Sequence, residues 1–321
     1  MIKIGKLNLR KRFILAPMAG ISDLPFRMLN RGFGAELAFA EMVNARSLSY
    51  GNVKSLALLS STSKDRPLGI QIVGNEVEYI HKAIEKLHKY KFDVLDFNAA
   101  CPERKVVAKG EGAALLKDPR KLKRLLKILV ENSKWPVTVK IRAGWDKTSV
   151  NARDVALYAE DAGVSALFIH GRTRNQGYSG EVDYDAIRQV KAALKIPVIG
   201  SGDVFSGALA KKMFDETACD AVLVARGALG NPWIFKELPS FLEEGVELER
   251  PRADEVIKIM TKHFNSCVRF FGAKKSVFIF RKFFSWYTKG LSDVRVLRVK
   301  ACAASTKSEM TAVINEIGQS R

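Results

Sequence analysis

Long apolar runs and closely spaced cysteines are both missing from this sequence of 321 residues. No apolar run reaches the roughly 18 residues of a membrane-spanning helix, and the opening residues MIKIGKLNLRKRF lack the apolar centre of a signal peptide. The four cysteines are Cys101, Cys219, Cys267 and Cys302, and no two of them form a CxxC pair or a zinc knuckle. We therefore expect a cytoplasmic protein with no membrane segment, no disulfide framework and no metal site.

Acidic residues are scarce relative to basic ones, with 34 Asp and Glu against 53 Lys and Arg, and the formal net charge is +19. An excess of this size attracts polyanions, most often nucleic acid, although a basic surface that serves solubility is the alternative. The segment 262–307 contains eleven Lys or Arg, a single acid and nine aromatic residues. Phosphate binding and base stacking use these residue types, but we expect most of the aromatics to form the core of a helical domain.

Short apolar runs recur along the first 240 residues, and helix-like stretches lie between most of them. The runs are Phe13–Met18, Leu37–Glu41, Leu68–Val73, Val94–Asn98, Val137–Arg142, Ala166–His170, Val198–Ser201 and Ala221–Ala225. The helix-like stretches include Glu76–Tyr90, Asp118–Ser133, Arg153–Ala162, Asp183–Leu194 and Ser206–Asp215. Eight strand-helix alternations are typical of a (β/α)8 TIM barrel. An open doubly wound sheet is the alternative, but no GxGxxG motif follows the first strand.

The alternation stops after Pro239, and helix-like stretches follow at Val256–Phe264, Phe278–Lys289 and Glu309–Ile317. We predict a barrel domain over residues 1–242 and an all-helical domain over residues 243–321. The helical domain holds most of the concentrated basic charge. We expect the protein to be a monomer.

Polar and glycine residues cluster where the predicted strands end, and in TIM barrels the active site lies at that end. Gly200–Asp203 after the seventh strand and Arg226-Gly227 after the eighth occupy the usual phosphate site of such barrels, although two tight turns are the alternative. Lys140 and Gln71 suit a flavin, because an amide can bond its pyrimidine edge and a cation stabilises the reduced ring. Met18 can contact such a ring or serve only in packing.

Cys101 stands in the stretch DFNAACPERK, just after the fourth predicted strand. The absence of a partner cysteine and of metal ligands disfavours a disulfide half or a metal ligand. A nucleophile, a proton donor and an inert filler remain as alternatives. A thiol with an ordinary pKa near ~8.5 is mostly protonated at neutral pH and can donate a proton.

The strings LAPMAGISDLPFR, QIVG, DFNAACP, VKIRAGW, IHGRTRNQGYSGEVDYDAI, IGSGDV and ARGALGNPWIF resemble the tRNA-dihydrouridine synthases. The string RKFFSWYTKGL resembles their bacterial B-type branch. The resemblance implies an FMN enzyme that takes electrons from NADPH and reduces the 5,6 double bond of uridine in tRNA, usually in the D-loop. Ribosomal RNA as substrate, a flavin barrel acting on a free pyrimidine, and a non-catalytic RNA-binding protein are the alternatives.

The resemblance also implies roles for individual residues. The flavin would contact Pro17, Met18, Ala19, Gln71, Lys140 and His170, and its phosphate would contact Ser201, Gly202, Asp203, Ala225 and Arg226. Asn98 and Arg172 would lie at the substrate, and Cys101 would be the proton donor. We expect Arg281, Lys282 and Lys289 of the basic tail to bind RNA.

Several positions depart from the family pattern. Ala99-Ala100 stands where Met-Gly is usual, Ser201 replaces an asparagine, and Ala225 replaces a glycine. Glu111 stands in the middle of a usual Gly-Gly-Gly. Loss of a glycine before Cys101 is expected to restrict the conformation of that loop.

Overall fold

A computed structural model of the protein describes residues 1–318 and is built around a closed barrel of parallel strands. Strands β1 (Ile2–Ile4) and β2 (Leu7–Leu9) precede the barrel as an antiparallel pair. Each barrel strand pairs with the next one along the chain, and the last pairs with the first. The barrel strands are β3 (Phe13–Leu15), β4 (Ala38–Asn44), β5 (Leu68–Val73), β6 (Val94–Asn98), β7 (Val137–Arg142), β8 (Ala166–His170), β9 (Val198–Ser201) and β10 (Ala221–Val224).

The predicted TIM barrel is confirmed, and β5 to β9 have the predicted bounds. The first predicted strand was too long, because the chain leaves the sheet after Leu15. The Met18 carbonyl accepts hydrogen bonds from the N–H groups of Ile21 and Ser22, at 3.0 and 2.9 Å, and so forms a turn. The residues that follow β3 therefore form a loop at the barrel mouth instead of extending the strand.

Strand β4 is longer than predicted and runs to Asn44 instead of ending at Glu41. A register shift between Phe39 and Met42 marks a bulge, after which pairing with β5 continues. The polar residues Glu41 and Asn44 therefore belong to this strand, Glu41 within the bulge and Asn44 at its C-terminal end.

Most of the helices alternate with the barrel strands, and the last four form the C-terminal region. They are α1 (Leu24–Gly32), α2 (Ala45–Ser49), α3 (Val53–Ala57), α4 (Val77–Leu87), α5 (Arg104–Val107), α6 (Pro119–Asn132), α7 (Ala152–Asp161), α8 (Tyr184–Ala193), α9 (Gly207–Thr217), α10 (Ile234–Pro239), α11 (Ala253–Phe271), α12 (Ala273–Tyr287), α13 (Arg295–Ala303) and α14 (Lys307–Glu316). Short 3-10 turns cover Gly112–Lys117 and Arg226–Ala228, and a π-helical turn covers Ser240–Glu244. None of these helices, within residues 1–318, is both long and apolar enough to cross a membrane.

The barrel helices begin and pack as their sequences dictate. The Asp118 carboxylate accepts the Lys121 N–H at 2.9 Å, and Pro119 occupies the first helical position of α6. The apolar face of α4 is buried, except that Val77, predicted on that face, is 50% exposed because it opens the helix. Helical periodicity thus identified the buried faces but not the exposure of a terminal residue.

The side chains inside the barrel and those of the C-terminal helices belong to two different apolar clusters. Inside the barrel, Phe39 meets Phe168 edge to face at 5.5 Å, and Ile4 of the first strand pair belongs to the same apolar cluster. In the C-terminal region, the predicted helices are confirmed, and five of the nine aromatics are buried: Phe264, Phe280, Phe283, Phe284 and Tyr287. The Phe283 ring stacks on Phe26 of α1 at 5.8 Å, so the C-terminal core is continuous with the apolar layer between the barrel strands and their helices. The domain boundary at residue 242 stays a prediction.

A buried ion cluster ties α1 to the segment before β5. The Asp65 carboxylate is fully buried and lies 2.7 Å from Arg27 and 2.7 Å from Arg31. We predict that Asp65→Ala lowers the free energy of unfolding by about 3–5 kcal/mol, because two guanidinium groups lose their partner in the interior. Urea unfolding midpoints measure the change.

The control for that prediction is Asp215→Ala, which removes a solvent-exposed ion pair with Lys211 at 2.6 Å. Exposed pairs contribute little to stability, so this variant is expected to unfold with the wild-type midpoint. Equal midpoints for the two variants would contradict the structural role of Asp65.

Candidate active site

Polar side chains from five neighbouring strands meet at the C-terminal end of the barrel. The strand register places Asn98 beside Lys140, Arg142 beside His170, and His170 beside Ser201. Gln71 of β5 pairs with Asp96 of β6. The structure therefore brings together the strand-end residues that the sequence predicted as one site.

Asn98 connects the barrel interior to the loop that holds Cys101. Its amide nitrogen donates to the Gln71 side-chain oxygen at 2.8 Å. Its oxygen accepts the N–H groups of Ala100 at 3.0 Å and of Cys101 at 2.8 Å. Because these bonds use the oxygen and one N–H, Asn98 fixes the start of the loop. One amide hydrogen of Asn98 remains for the predicted contact with a substrate.

Asp96 is a buried acid that was not among the strand-end residues predicted from the sequence. One carboxylate oxygen accepts the Gln71 amide N–H at 2.6 Å, and the other accepts the Thr138 hydroxyl at 2.6 Å. Burial raises the pKa of this carboxyl to about 6, against the opposing effect of the two hydrogen bonds. Its position was available in the sequence, because residues i and i+2 of a strand face the same side and Asn98 follows two residues later.

Lys140 presents a cation at the centre of the mouth. Burial, and then the nearby Arg142 charge, lower the pKa of its ammonium to about 8. Among residues 1–318, no hydrogen bond or ion pair engages this amine, although Asp96 and Cys101 are close enough to act on it electrostatically. The amine is thus available to a bound group with negative charge or an acceptor atom.

Arg142 joins two loops of the site from a buried position. Its guanidinium donates to the Ala100 carbonyl at 2.7 Å, to Thr173 at 3.0 Å and to Gly177 at 2.7 Å. Burial lowers the pKa of this group to about 10. Sequence inspection placed Arg142 at a strand end but assigned it no role, since no pattern shows which carbonyls a guanidinium will meet.

Cys101 is half-buried in a well-held loop. Its carbonyl accepts the Ala113 N–H at 3.0 Å. Gly112, at φ +60, lies so close that a Cβ atom there would stand 2.8 Å from this carbonyl. Burial raises the pKa of the Cys101 thiol, so it stays protonated at neutral pH. Ala99 and Ala100 are absent from the residues with positive φ, and the expected cost of losing a glycine there does not arise.

Glu111, the departure from the family's glycine pattern, is held inside the mouth. Its two carboxylate oxygens both accept from the Asn44 amide, at 3.1 and 3.0 Å, and only 6% of the residue is exposed. Burial raises the pKa of this carboxyl. Because Glu111 immediately precedes Gly112, its bond with Asn44 anchors the segment that packs on Cys101.

The predicted phosphate site contains an acid that neutralises two arginines. Asp203 lies 2.5 Å from Arg172 and 2.6 Å from Arg226, and the hydrogen bond with Arg172 is the main cause that lowers the pKa of its carboxyl. A carboxylate repels a phosphate, so we expect the phosphate donors to be the backbone N–H groups of residues 201–203 and 225 and the partly exposed Arg226. Gly202, at φ +137, has the conformation that such a turn needs.

Arg172 and His170 are both buried beside this turn. The Arg172 guanidinium donates to Gly180 at 2.5 Å and to Ser179 at 3.1 Å as well as to Asp203, and its remaining N–H lies 3.5 Å from His170. Its donors are therefore occupied within the protein, and its predicted contact with substrate stays a prediction. Burial and the surrounding cations lower the pKa of His170 well below its usual value, so the imidazole is neutral.

The loop after β3 faces the same mouth. Pro17 and Met18 are half-buried, whereas Ala19 is exposed. The Met18 N–H donates to the Ser22 hydroxyl at 2.9 Å, which fixes the turn. Ala225, on the opposite side, is half-buried at the end of β10.

The basic residues predicted to bind RNA divide into two kinds. Arg281 donates to the Ala304 carbonyl at 2.6 Å, and the Lys282 amine donates to the Gly20 carbonyl. Lys289 is exposed. Arg281 and Lys282 thus each have one donor bonded to a backbone carbonyl, and RNA binding by these three residues stays a prediction.

Comparison with known proteins identifies the family. The family model "Dihydrouridine synthase (Dus)" matches residues 14–320. The chain is 38% identical over 297 residues to "tRNA-dihydrouridine synthase B" of Pasteurella multocida (strain Pm70), a match that covers 92% of this chain and 90% of that protein. It is 39% identical over 294 residues to "Probable tRNA-dihydrouridine synthase" of Rickettsia conorii, covering 91% and 89%. The chain belongs to the dihydrouridine synthase family and is an oxidoreductase, as its motifs predicted.

The raised pKa of the Cys101 thiol predicts low reactivity towards iodoacetamide, which attacks thiolates. At pH 8 we expect exposed Cys302 to be alkylated first and Cys101 at least severalfold more slowly. Peptide mass spectrometry over time measures both sites, with buried Cys219 and Cys267 as unreactive controls. Faster labelling of Cys101 than of Cys302 would show that Cys101 is an activated thiolate and would contradict a protonated thiol at this position.

The Asn44–Glu111 bond predicts a second effect on the same assay. Glu111→Ala removes the anchor beside Gly112, so we expect the Cys101 loop to loosen and its alkylation to accelerate severalfold. Glu111→Gln keeps an oxygen that can accept from Asn44 and is expected to label like the wild type. Labelling of Cys302 provides the internal standard. An unchanged Cys101 rate in Glu111→Ala would exclude the anchoring role.

Proposed function

We propose that the protein is an FMN-dependent synthase that converts uridine to dihydrouridine in tRNA, with NADPH as the electron source, in the cytoplasm. The family match over residues 14–320 supports the reaction class. The observation that carries the cofactor is Lys140, whose amine lies at the mouth without a hydrogen-bond or ion-pair partner among residues 1–318. The mouth also offers the backbone turn at Gly202 and the partly exposed Arg226.

The residues present fit FMN in three respects. Backbone N–H groups of residues 201–203 and the Arg226 guanidinium would hold the phosphate. Lys140 and the second amide hydrogen of Gln71 would bond the ring edge, while the loop of Pro17, Met18 and Ala19 would lie along it. Bound FMN, once reduced by NADPH, would supply a hydride, that is two electrons and one hydrogen, to carbon 6 of the uracil 5,6 double bond.

The chain's own residues would perform the acid catalysis. The Cys101 thiol, protonated because burial raises its pKa, would deliver a proton to carbon 5 of the uracil. Asn98 and Arg142 would position that thiol by holding the loop at the Cys101 N–H and at the Ala100 carbonyl. Neutral His170 adds no charge beside the ring. The uridine must leave its base stack to reach this mouth.

RNA binding is proposed for the exposed cations of the C-terminal helices. Lys262, Arg269, Lys274, Lys289 and Arg295 are exposed there. Each phosphate neutralised by such a cation makes binding more dependent on salt. Arg281 and Lys282 are left out of this surface because of their internal bonds.

Replacement of the proposed proton donor tests the function. We predict that Cys101→Ala retains FMN and its reduction by NADPH but loses uridine reduction by roughly a hundredfold or more, since positioned acids contribute about 10²–10⁴ in rate. Anaerobic stopped-flow spectroscopy follows flavin reduction by NADPH and reoxidation by tRNA separately. Cys302→Ala, at an exposed position, is the matched control. Wild-type reoxidation in Cys101→Ala would reject the proton-donor role.

The lowered pKa of Lys140 predicts how FMN binding depends on pH. With a pKa of about 8 in the unliganded protein, Lys140 loses its charge as pH rises, whereas an anionic ligand favours the protonated form. The apoprotein should therefore bind FMN more weakly above pH 8, by up to about tenfold per pH unit. Quenching of FMN fluorescence at pH 7, 8 and 9 measures this. If the affinity of Lys140→Met for FMN falls with pH as steeply as that of the wild type, Lys140 is not the group responsible.

A further inference from the structure

A lysine of the C-terminal helices reaches the loop after β3. Lys282, in the middle of α12, donates from its amine to the Gly20 carbonyl, across 262 positions of sequence. The Gly20 N–H in turn donates to the Glu41 carboxylate of β4. One peptide at the barrel mouth is thus held between a cation of the helical region and an acid of the barrel.

The electrostatic surroundings favour an ammonium at this position. Burial raises the pKa values of Glu41 and of Asp23, the latter to about 6, and the charges of Lys282 and Arg27 oppose both shifts. Lys275 acts on Glu41 in the same direction. Lys282 therefore offsets the cost of two partly desolvated carboxylates, one of which holds the Gly20 N–H.

Packing on both sides fixes α12 against the barrel, so the amine has a defined position. Gly230, in the loop after β10, lies against the backbone of Trp286, and a Cβ atom there would stand 2.4 Å from the Trp286 carbonyl carbon. On the other side, the Phe283 ring stacks on Phe26 at 5.8 Å. The Lys282 amine itself lies 5.4 Å from the centre of the Phe283 ring.

We propose that Lys282 is a positioning residue, which sets the loop of Pro17, Met18, Ala19 and Gly20 from the helical region, and that it is not an RNA contact. The inference that this affects the flavin rests on the proposed function, since that loop is where the ring would lie. The placement of the loop itself depends only on the contacts of Gly20. Loss of the Lys282 charge frees the Gly20 carbonyl and removes a cation that acts on both Glu41 and Asp23.

The experiment compares Lys282→Met, which keeps an apolar stem against Phe283, with Lys289→Met at an exposed position of the same region. Hydrogen–deuterium exchange of the peptide over residues 16–23, visible circular dichroism of bound FMN, and the salt dependence of tRNA binding are measured on each purified full-length protein. For Lys282→Met we expect faster exchange at Gly20 and an altered flavin spectrum, with a wild-type salt slope. For Lys289→Met we expect wild-type exchange and spectrum, with the slope reduced by about 1. Lys282→Arg should restore the wild-type spectrum.

Wild-type exchange in Lys282→Met, together with a reduced salt slope, would overturn the proposal and make Lys282 an RNA contact. If Lys282→Met does not fold, Glu41→Gln tests the contacts of the Gly20 peptide from the barrel side. This variant removes the negative charge on which the Lys282 charge acts. Faster exchange over residues 16–23 is expected there, and wild-type exchange would count against the proposal. A wild-type protein that binds no FMN would refute the proposed function alone, because the exchange measurement does not need the cofactor.

Discussion

The hydrogen bonds of Asn98 are the interaction on which the rest of the site depends. One amide nitrogen is bonded to Gln71 and the oxygen to two successive N–H groups of the Cys101 loop. Gln71 is fixed in turn by Asp96, which also accepts from Thr138. A buried acid inside the barrel thus determines, through two amides, where a thiol stands at the mouth. Loss of any one partner in this network would leave a buried polar group without a hydrogen bond, which is costly in free energy.

The cations around this network differ in how far their donors are already bonded within the protein. Asp203 occupies Arg172, and the carbonyls of two loops occupy Arg142. Lys140 alone among these cations has no hydrogen-bond or ion-pair partner in the described part of the chain. Arg142 and Arg172 therefore hold the loops of the site, whereas the Lys140 ammonium and the partly exposed Arg226 are the cations offered to a ligand. That division explains how the mouth can hold its loops in place and still bind an anionic group.

Sequence reasoning predicted which strand-end residues lie together, because the ends of the strands in a parallel barrel converge whatever the loops do. Periodicity gave the bounds of β5 to β9, and the polar strand ends followed from them. It could not show the bulge in β4, which depends on the partner strand, or the turn after Leu15. Nor could it assign Arg142, Glu111 and Lys282, whose partners are up to 262 positions away. The prediction of Lys282 as an RNA contact used its charge and its helical position, and neither shows its hydrogen bond to Gly20.

We propose that this barrel mouth reduces uridine in tRNA. The most direct measurement maps dihydrouridine in total RNA from cells with and without the gene, and from deleted cells that express the wild-type chain or Cys101→Ala. We predict that deletion removes dihydrouridine from defined tRNA positions, that the wild-type chain restores it and that Cys101→Ala does not. An unchanged tRNA profile on deletion, in cells with no other dihydrouridine synthase, would contradict the account.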